Sequence, residues 1–287
     1  MEFKTPLDTV IAEKMLKFPL LGEELPDRWN LRLTREFDMT NDSHLFKAER
    51  ATERLPLFEG KMIHQFECHS DATRYWVSER EARKALIGNK PDGKALLDYQ
   101  NYRFAHRAIA RSTDSRTMIG TVLPSSVFVG HSLNVSKGVI AGYFLLYVSA
   151  LFNSLVFDFS LRQRVSANLT MFFIYQLPVP RLLETDSAFL PIVKRVAQLI
   201  CTTPEFDALA KEVSVALKLP NAAVKGVIDA AARNKLRAEI DGLVAHLYGL
   251  TESEFSYILT TFPLVTQDMK AATLEAYRNL PHELSRS

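Results

Sequence analysis

The stretch from Val139 to Phe157 carries no charged residue over 19 positions, and it limits the folds open to this chain more than any other segment. A run of that length is just sufficient to span a bilayer as a helix. Ser149, Asn153 and Ser154 interrupt it, however. The apolar residues also form a helical stripe of the kind that faces a protein core: Phe144, Val148, Leu151, Leu155 and Phe159. We therefore predict a buried helix and no membrane partner.

The overall charge and the cysteines exclude several classes of function. The 287 residues carry a net charge of +2, and the isoelectric point is near 8.4. Such a mild excess excludes histone-like binding by bulk charge alone, so an anionic partner requires a local basic patch. Cys68 and Cys201 form neither a CxxC pair nor a zinc pattern, which favours the reducing cytoplasm and indicates no metal site.

Composition and periodicity divide the chain into three parts. Residues 1–28 contain an amphipathic helix candidate, LDTVIAEKMLKF, and form a helical lead-in. In residues 29–181, short apolar runs between turn-formers predict strands, and the uncharged helix follows. An aromatic run then ends in Pro178 and Pro180, residues that suit an edge strand or a strand exit. Residues 182–287 have a helical period almost throughout. The predicted fold class is α/β (α+β), with a mixed sheet and a β-hairpin, followed by an all-α region.

The helical region has clear start and stop signals. Gly249 follows a long apolar period as a C-terminal cap, and Thr251 with Glu254 forms a capping box for the next helix. The predicted helices are Phe189 to Ile200, Pro204 to Leu217, Val227 to Tyr248, Ser253 to Thr261 and Gln267 to Asn279. The apolar seam of the third helix indicates core packing, with a partner helix as the alternative.

Familiar catalytic motifs are missing from the sequence. Gly60-Lys61 resembles the end of a phosphate-binding P-loop, but Leu55 stands where that loop needs a glycine, and no GxGxxG, GxSxG or HExxH occurs. Metal-dependent nucleases set one Asp near an acid-x-Lys pair, and Asp27 with Glu59 and Lys61 could serve in that way. The alternative is that these residues belong to a solvated loop and a charged strand.

An arginine-rich segment, YRFAHRAIARSTDSRT, is the strongest candidate for a binding surface. Arg103, Arg107 and Arg111 are four residues apart, which places them on one face of either a helix or a strand. The turn-like RSTDS favours a β-hairpin, with Arg116 beyond the turn. Guanidinium groups fit a phosphate or the O6 and N7 edge of guanine, so the row either lies along a DNA groove or solvates an exposed strand.

A second polar cluster, LRQRVSANLT, follows the uncharged helix. It contains Arg162, Arg164 and Asn168, which could grip backbone phosphates or cap the helix end.

Four segments together resemble the C-terminal part of large single-chain restriction and modification methylases. These segments are LPLFEGKMIHQFE, YRFAHRAIARSTDSRTMIGTVLP, LFNSLVFDFSLRQRVSANLTMFFIYQLPVP and RAEIDGLVAHLYGLTESEFSYIL. The enzymes are type IIG proteins and related phage-defence adenine methyltransferases, and the third segment is also similar to the end of target recognition domains in type I specificity subunits. The resemblance covers residues from about 29 to 262.

The resemblance implies an α/β domain that reads a short DNA sequence, followed by helices that pack on the methylase or act as a spacer. The catalytic half of such enzymes carries a glycine-rich S-adenosylmethionine motif and an Asn-Pro-Pro-Tyr-like tetrapeptide, whereas this chain has no Pro-Pro pair. We therefore expect no catalytic residues and no cofactor in this chain, with S-adenosylmethionine in an associated methyltransferase domain or subunit.

The leading hypothesis is a double-stranded-DNA recognition module of an N6-adenine methyltransferase. The residues expected to contact DNA are Lys61, His64, Arg103, Arg107, Arg111, Arg116, Arg162, Arg164 and Asn168. Two alternatives stay open: the nuclease, and a non-catalytic assembly module whose helices bind a methylase or helicase partner and whose arginines are incidental.

Overall fold

The computed structural model describes residues 5–90, 96–110, 115–164, 168–220 and 224–280. Its strands are β1 (Arg32–Thr34), β2 (Phe46–Lys47), β3 (Arg54–Phe58), β4 (Ile63–His64), β5 (Glu67–Cys68), β6 (Tyr75–Ser78), β7 (Arg103–Arg107), β8 (Gly120–Leu123), β9 (Phe128–Val129) and β10 (Leu133–Lys137). Its helices are α1 (Pro6–Met15), α2 (Glu79–Ile87), α3 (Gly142–Asn153), α4 (Leu155–Arg162), α5 (Met171–Tyr175), α6 (Phe189–Ile200), α7 (Asp207–Ala216), α8 (Ala230–Leu247), α9 (Glu252–Thr260) and α10 (Gln267–Asn279). This order confirms the predicted fold class, an α+β part followed by an all-α part.

The main sheet is antiparallel, in the order β1-β10-β7-β8, and contains the predicted hairpin. Strands β7 and β8 pair from Arg103 opposite Leu123 to His106 opposite Gly120. A side chain at Gly120 would not fit, because its Cβ would lie 2.8 Å from Phe104 Cζ. The connection between the strands spans residues 108–119, of which 111–114 lie outside the described residues, so it is longer than the tight reversal that RSTDS suggests.

A second sheet packs beside the first, in the order β2-β6-β3-β9. It is mixed, as predicted, because β3 and β9 run parallel while the other neighbours are antiparallel. Its own small core contains Phe37, Leu57, Val77 and Phe128, with Ala82 of α2 in the same cluster. Beyond β3, a 3-10 turn leads into the short β4–β5 hairpin, which brings this segment close to the end of β7.

The uncharged stretch forms two helices rather than the single helix that was expected. The Asn153 side chain donates to the Gly120 carbonyl at 2.8 Å and accepts from the Gly120 amide at 3.1 Å. Ser154 is extended, and its hydroxyl accepts from the Phe157 amide to cap α4. The chain therefore bends by 57° between α3 and α4, and both helices are largely buried.

No single helix in the described ranges is long and apolar enough to cross a bilayer, although α3 and α4 taken together would pass by length and composition alone.

The C-terminal helices follow the predicted pattern closely. Helices α6 and α10 have the predicted bounds, and the predicted segment from 204 to 217 divides into a 3-10 turn and α7. Helix α8 begins later than expected because the Asp229 side chain accepts from the Ala232 amide as an N-cap. Gly249 has a φ of +64°, which suits the expected C-cap, and the Thr251–Glu254 capping box is present.

One continuous hydrophobic cluster joins these helices to α3, α4 and the main sheet, from Ile11 of α1 to Leu280 after α10. The N-terminal helix is confirmed, with Thr5 as its cap. The expected edge strand before Pro178 is wrong: residues Met171–Tyr175 are helical, and Pro178 forms only an isolated bridge with Leu20. The predicted domain bounds 1–28, 29–181 and 182–287 stay a prediction.

Candidate nucleic-acid interface

Arg103 lies inside the protein rather than on its surface. Its side chain is 1% exposed, Nη1 donates to Glu36 Oε1 at 2.8 Å, and Nη2 donates to the Val127 carbonyl at 2.6 Å. Glu36 Oε2 accepts from the Val129 amide at 2.8 Å, so the ion pair ties β7 to β9. Arg103 is therefore enclosed between β7 and the second sheet, and its predicted contact with DNA stays an untested prediction.

Arg116 and Arg162 belong to a buried charge cluster. Arg116 Nη2 lies 3.4 Å from Asp241 Oδ2, and Arg162 Nε lies 3.4 Å from Asp158 Oδ1, with its guanidinium 4.3 Å from the Phe262 ring centre. Burial raises the pKa of both aspartates, and the neighbouring arginines oppose that rise. The charged groups of these arginines face carboxylates that link the loop before β8 to α4 and α8, and their predicted contacts with DNA stay untested.

The second predicted cluster is divided between interior and surface. Arg164 Nη1 donates to the Gln176 carbonyl at 3.3 Å, and burial lowers the pKa of Arg164. Asn168 is exposed and forms an antiparallel bridge with Ile109, just beyond the end of β7. Of Arg162, Arg164 and Asn168, Asn168 therefore remains the exposed candidate for a DNA contact. Arg111, which belongs to the arginine-rich segment, lies outside the described residues.

Arg107 organises a surface loop. Its Nε donates to the carbonyl oxygens of Gly60 at 2.8 Å and Ile63 at 3.1 Å, and its Nη2 donates to Ile63 at 2.6 Å. These bonds fix the 3-10 turn Gly60–Met62 and the start of β4 against the end of β7. We call Lys61, His64 and Arg107 the basic ridge.

The other two residues of the basic ridge are exposed. The Lys61 side chain is 57% exposed, with Nζ 3.6 Å from Glu59 Oε2, and His64 Nδ1 lies 3.4 Å from Arg107 Nη2. Burial lowers the pKa of His64, and the charges of Arg107 and His69 act in the same direction. The ridge therefore presents an ammonium group and a neutral imidazole near pH 7, a combination suited to a phosphate or guanine and to a base or sugar edge.

Two arginines that the sequence interpretation missed support the ridge from the helical part. Arg233 Nη2 and Arg237 Nη2 lie 2.8 and 2.9 Å from Glu67 Oε1 of β5. They connect α8 to the short hairpin that carries His64. The sequence shows that these arginines lie one turn apart on one face of a predicted helix. It does not show their shared partner, because that glutamate lies more than 160 positions away in sequence.

Of the three residues of the nuclease alternative, Glu59 and Lys61 lie together and Asp27 belongs to another segment of the fold. Glu59 follows β3, and its carboxylate oxygens lie 3.6 Å from Lys61 and 3.7 Å from Arg74. Asp27 is exposed in the turn before Trp29, whose indole donates to the Leu182 carbonyl at the helical side of the molecule. No group of three or more His, Cys, Asp and Glu side chains in the described ranges could hold a metal ion. The nuclease stays an untested prediction.

The chain is similar in structure to part of a restriction-modification enzyme. No protein-family model matches the chain, and no curated protein matches it. Among solved structures, that of the type IIL restriction-modification enzyme MmeI in complex with DNA matches 88% of this chain at 9% sequence identity and a TM-score of 0.46. The chain spans 37% of the length of that enzyme. At this TM-score the likeness does not establish a shared fold.

Proposed function

We propose that this chain is a sequence-specific double-stranded-DNA recognition module of a restriction-modification or phage-defence N6-adenine methyltransferase. It acts in the cytoplasm, carries no catalytic residues, and leaves methyl transfer to a partner domain or subunit that binds S-adenosylmethionine. The resemblance of its motifs to the C-terminal part of such enzymes suggests this role, and the basic ridge supplies the chemistry.

The observation that supports the proposal best is the way Arg107 holds the Gly60–Ile63 loop. A loop that is already fixed loses little conformational entropy on binding, so more of the contact energy appears as affinity. Lys61 and His64 extend from this loop into solvent, where a duplex has access to them. A rigid backbone with exposed polar side chains is what direct reading of base edges requires.

The division of labour follows from the chemistry of adenine methylation. The target base must leave the helix, at a cost of a few kcal/mol, before its amino group can react. Each good bidentate contact discriminates between bases by about 1–3 kcal/mol, so a few contacts from a separate module favour flipping at the correct site. In this scheme Lys61 and His64 read the DNA, Asn168 contacts its backbone, and Arg107 positions the loop.

The purified chain tests the proposal in a binding selection. A randomised duplex pool would be enriched on the protein, and the affinity for enriched and scrambled duplexes would be compared by fluorescence anisotropy. We expect Lys61→Ala and His64→Ala to reduce the difference between the two duplexes. Lys235→Ala is the control, because that lysine is 79% exposed on α8 and removal of its charge should leave discrimination unchanged. Equal affinity of the wild type for every duplex would refute sequence-specific recognition.

The same preparation separates the two alternatives. A nuclease would cut plasmid in the presence of magnesium, and Glu59→Gln would abolish the cutting. An assembly module would bind a methylase or helicase and show no measurable affinity for duplex DNA at low salt.

A further inference from the structure

A basic cleft lies at the far end of β3 from the basic ridge. It has a volume of about 690 Å³ and is open to solvent, between α2 and the strands β2, β3 and β6. Five cationic side chains among the described residues line its walls: Lys47, Arg54, Arg80, Lys84 and Lys90. We call these residues the basic cleft.

The strand register explains why these charges meet. Lys47 of β2 and Arg54 of β3 pair with β6 from its two sides, Lys47 opposite Trp76 and Arg54 opposite Ser78 at the C-terminal end of β6. Helix α2 starts directly after β6, so its residues Arg80 and Lys84 stand next to that end, one helical turn apart on one face. The cleft is thus a consequence of three strands and one helix meeting at one edge.

The described residues of the cleft carry more cations than carboxylates. Glu53 and Glu81 are the acidic residues in its lining, and Glu53 Oε1 lies 3.8 Å from Arg54 Nε. Within the described ranges, no carboxylate lies within 4.0 Å of Arg80, Lys84 or Lys90. Among the described residues of the lining, five cations against two carboxylates leave an excess that attracts an anion.

The shape of the cleft favours an extended anion over a compact one. The cations come from four different elements or loops and spread along the walls of an open cleft, whereas a single phosphate needs donors that converge on one point. A polyanion whose charges are spaced along a backbone can pair with cations that are spread out in this way. Double-stranded DNA is such a polyanion, with one charge per about 1.7 Å of helix axis.

We propose that the basic cleft binds the phosphate backbone of the same duplex that the basic ridge reads, beside the recognition sequence. This inference rests on the proposed function. Strand β3 begins at Arg54, and the ridge residue Lys61 follows seven residues later, so at most about 24 Å of extended chain separates these two residues. That distance is about seven base pairs of duplex at about 3.4 Å each, which is within the length of one bound DNA.

The test is the salt dependence of DNA binding in a charge-matched pair of variants. Arg80→Gln/Lys84→Gln removes two cations from the cleft, and Lys211→Gln/Lys235→Gln removes two exposed cations from the C-terminal helices. Each would be titrated with mixed-sequence duplexes of about 12 and about 30 base pairs over a range of salt concentrations. Thermal unfolding by circular dichroism would confirm that both variants fold as the wild type does.

The cleft variant should reduce the slope of log K against log salt by about 1.8 on the longer duplex, or about 0.9 for each phosphate that the protein no longer neutralises. The reduction should be the same for enriched and scrambled sequences and smaller on the short duplex. The control variant should keep the wild-type slope.

The outcomes distinguish this inference from the proposed function. If the wild type discriminates between sequences through the ridge but the cleft variant behaves like its control, only the present inference is overturned. If the slope of log K against log salt is lower for the cleft variant while the wild type shows no sequence preference, the cleft binds DNA and the proposed sequence-specific recognition is wrong. A wild type without affinity for duplex DNA overturns both.

Discussion

Replacing Arg103 by leucine tests whether this arginine is structural, as its burial indicates, rather than part of a DNA-binding surface. The substitution leaves the Glu36 carboxylate, whose side chain is 5% exposed, with the Val129 amide but without its cation. Removing one partner of a buried ion pair typically costs about 3–5 kcal/mol of unfolding free energy, because the remaining charge stays desolvated.

The expected loss is large enough to measure in two ways. In a chain of this size, 1 kcal/mol lowers the melting temperature by about 2–4 °C, so Arg103→Leu should melt at least about 6 °C below the wild type. Urea unfolding can be followed by the fluorescence of Trp29, which packs on α3, and Trp76, which lies in the second sheet. The affinity of the folded variant for duplex DNA should equal that of the wild type at low temperature.

A second variant separates the charge effect from the loss of packing. Arg103→Leu/Glu36→Leu leaves no unpaired charge, and replacement of a buried ion pair by apolar residues is often neutral, so much of the stability should return. If Arg103→Leu were as stable as the wild type and lost its affinity for DNA, the arginine would be accessible to the duplex and the structural interpretation would be wrong.

Three further predictions concern neighbouring residues. Arg107→Ala should release the Gly60–Ile63 loop and weaken duplex binding about tenfold or more, as measured by anisotropy, because the loop must then be ordered on binding. Burial lowers the pKa of His106 to about 4 from 6.5, so the folded protein excludes a proton that the unfolded chain binds; stability should be full above pH 6.5 and fall as the pH drops towards 4. His106→Phe should flatten that part of the curve of urea midpoint against pH. Gly120→Val should cost about 1–3 kcal/mol in urea unfolding, since its side chain would overlap the Phe104 ring.

Local signals were sufficient to predict much of the helical region from the sequence. The capping box at Thr251, the glycine at 249 and the apolar periods of α6 and α10 act within a few residues, so the chain shows them without its tertiary structure. The β7–β8 hairpin was predictable for the same reason, although its connection is longer than the turn signal suggested.

Contacts between residues that are distant in sequence determine which arginine side chains are buried. Alternation places Arg103 and Arg107 on one face of β7, but it does not say which part of that face another sheet covers. Glu36, the partner of Arg103, is 67 positions away, and Asp241, the partner of Arg116, is 125 positions away. The bend at Ser154 also depends on a contact that is distant in sequence, because the Asn153 side-chain amide donates to the Gly120 carbonyl across 33 positions.

The short bonds by which Arg107 holds its loop, at 2.6–3.1 Å, go to main-chain oxygens at positions 60 and 63, and its contact with the His64 side chain is longer, at 3.4 Å. Residues 61 and 64 can therefore be exchanged while these main-chain bonds remain. If this loop reads bases, new target preferences can evolve, or be engineered, through substitutions at those two positions while the scaffold keeps its shape.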